Sequence, residues 1–405
     1  MSGPVILPGA TLGVMGGGQL GRMFAHAAQQ MGYFTAVLDA DASSPAGLVS
    51  HHHVQTGYED PAGLAELARL SAAITTEFEN VPAGALRTLA ATRPVAPAGD
   101  AVAIAQDRAL EKAHFTRCGV ACAPYAVIET AAQLAAVPDD LLPGIVKTTR
   151  LGYDGKGQIR VKTRDELAGA WHAVKRVPCV LEKMLPLAAE ISVIVARGRD
   201  GHMVHLPPQR NLHRDGILAV TEVHGQNMPP ARVETAVAAT KSIAEGLGYV
   251  GVLCVEYFVL DDGALVVNEM APRPHNSGHY TLDACDLSQF ELQVRALTGL
   301  PLVTPRHHSP AIMLNLLGDL WFDAAGRPIT PAWSEVLALP GTHLHLYGKL
   351  DARKGRKMGH LNITGTDVAS TAPLRSTISA RSDWIEPPRA ATRCVGSAPS
   401  RSSDT

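Results

Sequence analysis

Apolar positions along the chain alternate between two periods, one of strands and one of helices. Residues 11–18 read Thr-Leu-Gly-Val-Met-Gly-Gly-Gly, a short strand entering a glycine turn. Residues 19–31 carry helical spacing, and 33–39 read as a second strand. Strand, glycine turn, helix, strand is a βαβ unit. Another short strand is expected at 72–75, and the first domain should close near Pro97. Asp100 can cap a helix over 101–118, with Gly119 as its stop. From there to about residue 300 strands and helices alternate less regularly, with strong strands at 189–196 and 250–259. A third segment has strand-like pieces at 311–317 and 343–347. After residue 371 Ser, Arg, Ala, Pro and Thr dominate, which reads as a disordered tail. The expected division is 1–99, 100–300, 301–370 and a tail over 371–405. The fold class is α/β, with α+β character in the central domain and a small β-rich domain after it.

The length, 405 residues, suits two or three domains. Hydrophobic residues make up 46% and charged residues 18%, enough apolar material for a sizeable core. A net charge of −2 argues against a protein that coats nucleic acid or an anionic membrane. The longest apolar run, 249–260, is interrupted by Glu256 and too short to span a bilayer. Residues 1–10 lack a basic n-region, so no secretory signal is expected. Six cysteines show neither a CxxC pair nor zinc-like spacing with histidine, as reduced thiols of a cytoplasmic protein would.

The chemistry begins with Gly16-Gly17-Gly18-Gln19-Leu20-Gly21, which fits GxGxxG between a strand and a helix. Asp39 ends the next strand, where an acidic ribose ligand would lie. By itself this suggests a nicotinamide oxidoreductase. The same turn serves any phosphate brought to a helix N-terminus. A second glycine loop follows the strand 144–147. It comprises Gly152, Tyr153, Asp154, Gly155, Lys156, Gly157 and Gln158, preceded by Lys147. Backbone amides freed by three glycines, with two lysines beside them, suit a polyphosphate.

The strands 250–259 and 264–270 flank Asp262-Gly263, a two-residue hairpin turn. Pairing Asp261 with Ala264 and counting outward sets Glu256 opposite Glu269. Facing carboxylates repel, and a divalent cation between them would relieve this. Oxygen-only ligation suits magnesium. Strict alternation points Asn268 away from Glu269, so either a bulge corrects this or only its backbone is used. A polar segment follows, with Arg273, His275, Asn276, Ser277 and His279 as a possible substrate shelf. His51-His52-His53 reads as a solvated stretch, because alternate side chains in a strand point apart. Arg108, beside Asp107 and Glu111, reads by itself as a surface ion pair, and Cys254 as core.

Lys147, the glycine loop, Glu182, Glu190 and the Glu256/Glu269 pair follow the order of the ATP-grasp superfamily, which the chain resembles. The resemblance narrows to the 5-(carboxyamino)imidazole ribonucleotide synthases through GQLGRM at 18–23, YDGKGQ at 153–158, NLHRDGIL at 211–218, NEMAPRPHNSGH at 268–279 and GRKMGH at 355–360. It covers roughly residues 12–366. It implies a Rossmann-like pre-ATP-grasp domain, an ATP-grasp domain and a small C-terminal β-rich domain. The implied activity is carboxylation of 5-aminoimidazole ribonucleotide with ATP and bicarbonate, through carboxyphosphate, in purine biosynthesis.

The resemblance also implies site roles. Arg108 and Lys147 would contact ATP phosphates, and the 152–158 loop would cover them. Glu182, Lys183, Met184 and Leu185 would line the adenine, Glu190 would bind the ribose, and His213 would belong to the nucleotide site. Glu256 and Glu269 would hold Mg2+, with Asn268 adjacent. The ribonucleotide would meet Gln19, Leu20, Glu77, Tyr153, Asp154, Lys156, Arg273, His275, Asn276, Ser277, Lys349 and Arg356. Lys147, Lys156, Arg273 and Asn276 would act in the chemistry. A homodimer is implied, with neither nucleic acid nor membrane as partner. The family usually has arginine where this chain has Lys156, which keeps the charge but loses the planar fork. The alternatives are another ATP-grasp ligase, such as formate-dependent glycinamide ribonucleotide transformylase, the oxidoreductase, or a non-catalytic nucleotide sensor.

Overall fold

The computed structural model describes residues 3–150, 157–225 and 228–367. The expected tail and the loop residues Gly152, Tyr153, Asp154, Gly155 and Lys156 lie outside them. The chain opens with a parallel sheet ordered β3-β2-β1-β4, made of β1 (Thr11–Met15), β2 (Phe34–Leu38), β3 (His52–Val54) and β4 (Ala73–Thr76). Helices α1 (Gln19–Gln30), α2 (Pro61–Leu70) and α3 (Ala83–Ala90) belong to this segment. All four residues of β4 are buried, as in a sheet covered on both faces. Of the three histidines, His52 and His53 lie on edge strand β3, where His53 Nε2 meets the Asp39 carbonyl at 3.0 Å, and His51 precedes it.

The single helix expected over 101–118 is two, α4 (Gly99–Ala105) and α5 (Arg108–Arg117). Asp100 lies in the first turn of α4 rather than capping it. Asp107 makes the break: its backbone is extended, and its carboxylate accepts from the amides of Ala109 at 3.1 Å and Leu110 at 3.3 Å. A short acidic side chain competes for backbone donors in this way and starts a new helix. The break frees the Arg108 amide to bond the Thr149 carbonyl, at 3.0 Å.

An antiparallel sheet ordered β5-β8-β6-β7 comes next, from β5 (Tyr125–Ile128), β6 (Gly144–Thr148), β7 (Gln158–Val161) and β8 (Cys179–Lys183). Helices α6 (Ala131–Ala135) and α7 (Arg164–Ala173) accompany it, and Trp171 and Leu167 of α7 join its core.

The largest sheet has nine strands: β9 (Leu187–Arg197), β10 (Met203–His205), β11 (Gln209–Arg214), β12 (Ile217–Val223), β13 (Gly251–Leu260), β14 (Leu265–Ala271), β15 (Ala311–Leu317), β16 (Thr342–Leu346) and β17 (Lys357–Thr364). Its order is β14-β13-β9-β11-β12-β15-β17-β16, with β10 beside β9. Strand β15, beyond residue 300, therefore pairs directly with β12. Helices α8 (Pro230–Gly246), α9 (Thr281–Ala284), α10 (Gln289–Thr298) and α11 (Trp333–Leu337) complete the chain. Phe290, Val294 and Leu297 of α10 share one core with Leu12, Val14 and Phe24 of the first segment and Tyr347 of the last.

The hairpin between β13 and β14 places Glu256 opposite Glu269 as expected, by a different route. The turn holds three residues, not two. Leu260 rather than Asp261 pairs with Ala264, and Gly263 takes φ 85°, a left-handed backbone that favours glycine. That offset shifts the register by one. A bulge at Asn268 shifts it back, since Tyr257 pairs with Val267 while Glu256 pairs with Glu269. The two offsets cancel, and the bulge turns Asn268 and Glu269 into the same cleft.

Candidate active site

A cleft of about 1020 Å³ opens where the three sheets meet. Gln19, Leu20 and Glu77 close one end, Lys147 and Glu182 to Leu185 form one wall, and Glu190, His213, Glu256, Asn268 and Glu269 form the facing wall. Arg273, His275 and Asn276 supply the shelf, and Arg108 and Gln158 also line the space. Ser277 differs from expectation. It is fully buried behind the wall, bonded to His275 and Ser192. Lys349 and Arg356 do not line the cleft; they sit close enough to feel each other's charge, and Lys349 that of Glu77.

The glycine turn of α1 is already occupied by the protein's own anions. The Glu77 carboxylate accepts from the amides of Gly18 at 2.8 Å and Gly21 at 3.1 Å. Asp39 accepts from the Gly17 amide at 2.7 Å and from the Tyr58 hydroxyl at 2.7 Å. A pyrophosphate would have to displace Glu77, and a ribose would find Asp39 engaged. The dinucleotide reading fails on these contacts.

Lys147 and Lys112 share one carboxylate. Glu182 Oε2 lies 2.8 Å from Lys147 Nζ, and Oε1 lies 3.1 Å from Lys112 Nζ, with all three side chains under a tenth exposed. Burial pushes the Glu182 carboxyl up, but the two ammonium groups more than reverse this. The Glu182 carboxylate is therefore a clamp for lysines rather than a free acceptor for a base. Lys112 stands one helical turn after Arg108 on α5, a spacing that could have exposed it in the sequence.

Arg108 is no surface ion pair. Its guanidinium reaches Glu269 at 3.1 Å, and His275 Nε2 reaches Glu256 at 3.1 Å. Each facing carboxylate thus has a basic side chain of its own, so repulsion alone does not demand a metal. The donor set still fits one: two carboxylates and an amide, all oxygen donors, open to the cleft. Among the described residues no cluster of three or more His, Cys, Asp or Glu offers a fuller cage. His213 pairs with Glu190; burial lowers its basicity, and Glu190 and Glu256 raise it further than that.

Two acidic residues escaped sequence reasoning. Glu79 pairs with Arg273; burial pushes its carboxyl up, but the guanidinium holds it at about 2. Glu111 is buried beside Glu269, and burial with that neighbour's charge pushes it to about 8, against a hydrogen bond from the Met270 amide. Lys357 of β17 also lines the cleft.

Family models match the chain in three places: a ribonucleotide synthetase preATP-grasp domain over 9–106, an ATP-grasp domain over 113–290, and a phosphoribosylaminoimidazole carboxylase C-terminal domain over 311–373. An N5-carboxyaminoimidazole ribonucleotide synthase of Brucella melitensis is 44% identical over 87% of this chain and 96% of its own. The chain belongs to the N5-carboxyaminoimidazole ribonucleotide synthase family. Solved structures of the synthetases agree. One from Staphylococcus aureus complexed with ADP is 35% identical, with TM-score 0.84 over 94% of this chain and 98% of that one. A synthase from Aspergillus clavatus, in complex with ADP and 5-aminoimidazole ribonucleotide, is 31% identical, with TM-score 0.82 over 92% and 99%. The ATP-grasp fold with its pre-ATP-grasp and C-terminal regions is therefore the fold of this family member.

Proposed function

We propose that this protein is an ATP-dependent carbon–nitrogen ligase that carboxylates 5-aminoimidazole ribonucleotide with bicarbonate, giving the N5-carboxylated ribonucleotide, ADP and phosphate in purine biosynthesis. The observation that carries this reading is one cleft, in a member of the synthase family, that gathers Arg108, Lys147, Glu256, Glu269 and Arg273.

Bicarbonate is a weak nucleophile and a weak electrophile, so the γ-phosphoryl transfer needs its charge neutralised. Lys147, fixed by Glu182, and Arg108, fixed by Glu269, present positive charge to the phosphates. A bicarbonate oxygen takes the phosphoryl group and ADP leaves. The exocyclic amine then bonds to the carbonyl carbon of carboxyphosphate, or to carbon dioxide released from it. Phosphate departs and the amine gives up a proton. Arg273, His275 and Asn276 lie on the side of the cleft that would receive this anion. Glu256 and Glu269, with Asn268, would hold Mg2+, which supplies charge neutralisation at the phosphates when bound. Lys183, Met184, Leu185 and Glu190 surround the place assigned to the nucleoside, while Gln19, Leu20 and Glu77 close the ribonucleotide end. Lys349 and Arg356 are assigned to the 5′-phosphate. Tyr153, Asp154 and Lys156 keep the covering role that their sequence suggests. A homodimer in the cytoplasm is part of the same reading. Among the described residues no helix is long and apolar enough to cross a membrane.

The test is ADP release from magnesium-ATP and bicarbonate, with and without 5-aminoimidazole ribonucleotide. Strong stimulation is expected. Stimulation by glycinamide ribonucleotide and formate instead would move the protein to the other ligase, and nucleotide binding without ADP release would make it a sensor.

A further inference from the structure

Two segments singled out in the sequence keep residues that the proposed chemistry leaves unused. Asn211 lies in the NLHRDGIL stretch, and Ser277 in the shelf. Both are buried, and the structure joins them through a third buried residue, Ser192 of β9. Ser192 stands in a cross-strand row, opposite Gln209 on one side and Glu256 on the other, and Glu256 faces Glu269 in turn.

The hydrogen bonds form a continuous chain from Thr221 to His275. The Thr221 hydroxyl donates to Asn211 Oδ1 at 2.9 Å, and Asn211 Nδ2 donates to Ser192 Oγ at 2.9 Å. Ser192 donates to Ser277 Oγ at 2.8 Å, with Gln209 Oε1 as a second acceptor at 2.9 Å. Ser277 Oγ is 2.9 Å from His275 Nδ1, and the Ser277 amide donates to the same nitrogen at 3.3 Å. A ring nitrogen that accepts an amide proton carries none of its own, so the ring proton sits on Nε2. Nε2 is the atom 3.1 Å from Glu256. The Cys254 thiol also lies within hydrogen-bond reach of both serine hydroxyls.

We propose that Ser192 and Ser277 are positioning residues, which fix the tautomer and tilt of His275 so that its Nε2–H faces Glu256 in the cleft. Ser192 does this from the strand next to β11, which carries His213 of the nucleotide wall. One buried hydroxyl thereby sets the shelf relative to the ATP side of the cleft. The inference rests on the ligase reading, in which His275 meets substrate. Groups that orient an active-site ring are worth about 10- to 100-fold in rate.

The experiment compares ADP release with magnesium-ATP, bicarbonate and 5-aminoimidazole ribonucleotide for Ser192→Ala, Ser277→Ala, the double variant and Thr221→Val. The last removes an equally buried hydroxyl but leaves the links from Asn211 to His275 in place. Each serine variant is expected to lose about 10- to 100-fold in kcat, with KM for ATP within about twofold of wild type. The double variant should lose no more than the worse single one, because both act through one chain. Thr221→Val should lower the unfolding midpoint comparably while keeping kcat within about twofold. Serine variants that behave like Thr221→Val, or single losses that multiply in the double variant, overturn the proposal. If Ser192→Ala does not fold, Ser277→Ala, outside the sheet, decides alone: wild-type kcat there refutes the chain. A wild-type enzyme without ribonucleotide-stimulated ADP release sinks the ligase reading and this inference together. An active wild type with unaffected serine variants sinks the inference alone.

Discussion

Arg273→Met should reverse the acid response of Glu79. The two side chains pair across 194 residues, with Arg273 15% and Glu79 29% exposed. In the folded protein the Glu79 carboxyl is held at about 2, against an ordinary value of 4.5. A depressed carboxyl contributes stability that is present above 4.5 and lost as pH falls toward 2. Between pH 7 and pH 3 this one group should cost the wild type about 2 kcal/mol. In Arg273→Met the guanidinium is gone and burial dominates, so the Glu79 value rises above 4.5. Its contribution then changes sign, becoming largest in acid and fading as pH rises through the new value. The assay is urea unfolding of both proteins at pH 7 and pH 3. Glu77, whose carboxyl the same guanidinium also lowers, shifts in the same direction, so the difference between the two acid losses reports Glu79 together with a smaller same-signed part from Glu77. The variant should lose at least about 2 kcal/mol less than wild type over that interval. Equal acid losses would show that the guanidinium does not hold the Glu79 carboxyl down.

Glu269→Gln should abolish magnesium-dependent ADP release while leaving the unfolding midpoint near that of wild type; normal turnover would remove Glu269 from the metal assignment. Glu182→Gln leaves Lys112 and Lys147 buried without their shared counter-charge, and should cost about 3–5 kcal/mol in denaturant unfolding and raise KM for ATP. A wild-type unfolding curve would contradict the clamp. Burial, with Arg356 nearby, lowers Lys349 to about 8. If its ammonium binds the ribonucleotide phosphate, KM for that substrate should climb about tenfold per pH unit above 8, and Lys349→Met should flatten the profile. A wild-type KM that is level to pH 9.5 would exclude Lys349 from the phosphate site.

Local signals in the sequence were read well, and long-range ones poorly. The βαβ unit of β1, α1 and β2 rests on short-range period and glycine chemistry, and its boundaries fall within a few residues of expectation. The Glu256/Glu269 pairing was legible only because a three-residue turn and a bulge at Asn268 cancel. Neither offset is written in the alternation of β14. The break at Asp107 was missed because the apolar positions of α4 and α5 can be read as one helix, while the capping carboxylate decides otherwise. The two lysines that Glu182 clamps are hidden in the sequence for another reason. They lie 35 and 70 residues before it, and a carboxylate's neighbours across sheets and helices leave no periodic trace. Ser277 looked like a substrate ligand for the same reason, since a hydroxyl beside His275 gives no hint of which way the 3₁₀ turn at Asn276–Gly278 will face.

The pairing of β12 with β15 bears on how the chain can be cut. Family boundaries fall between 290 and 311, but the backbone hydrogen bonds run straight across that gap. Severing the connection there would leave β12 and β15 each with a bare row of donors and acceptors. Fragments divided at this point should seek one another by strand complementation, and either alone should capture foreign strands. The joint between two family models is, for the polypeptide, the middle of a weld.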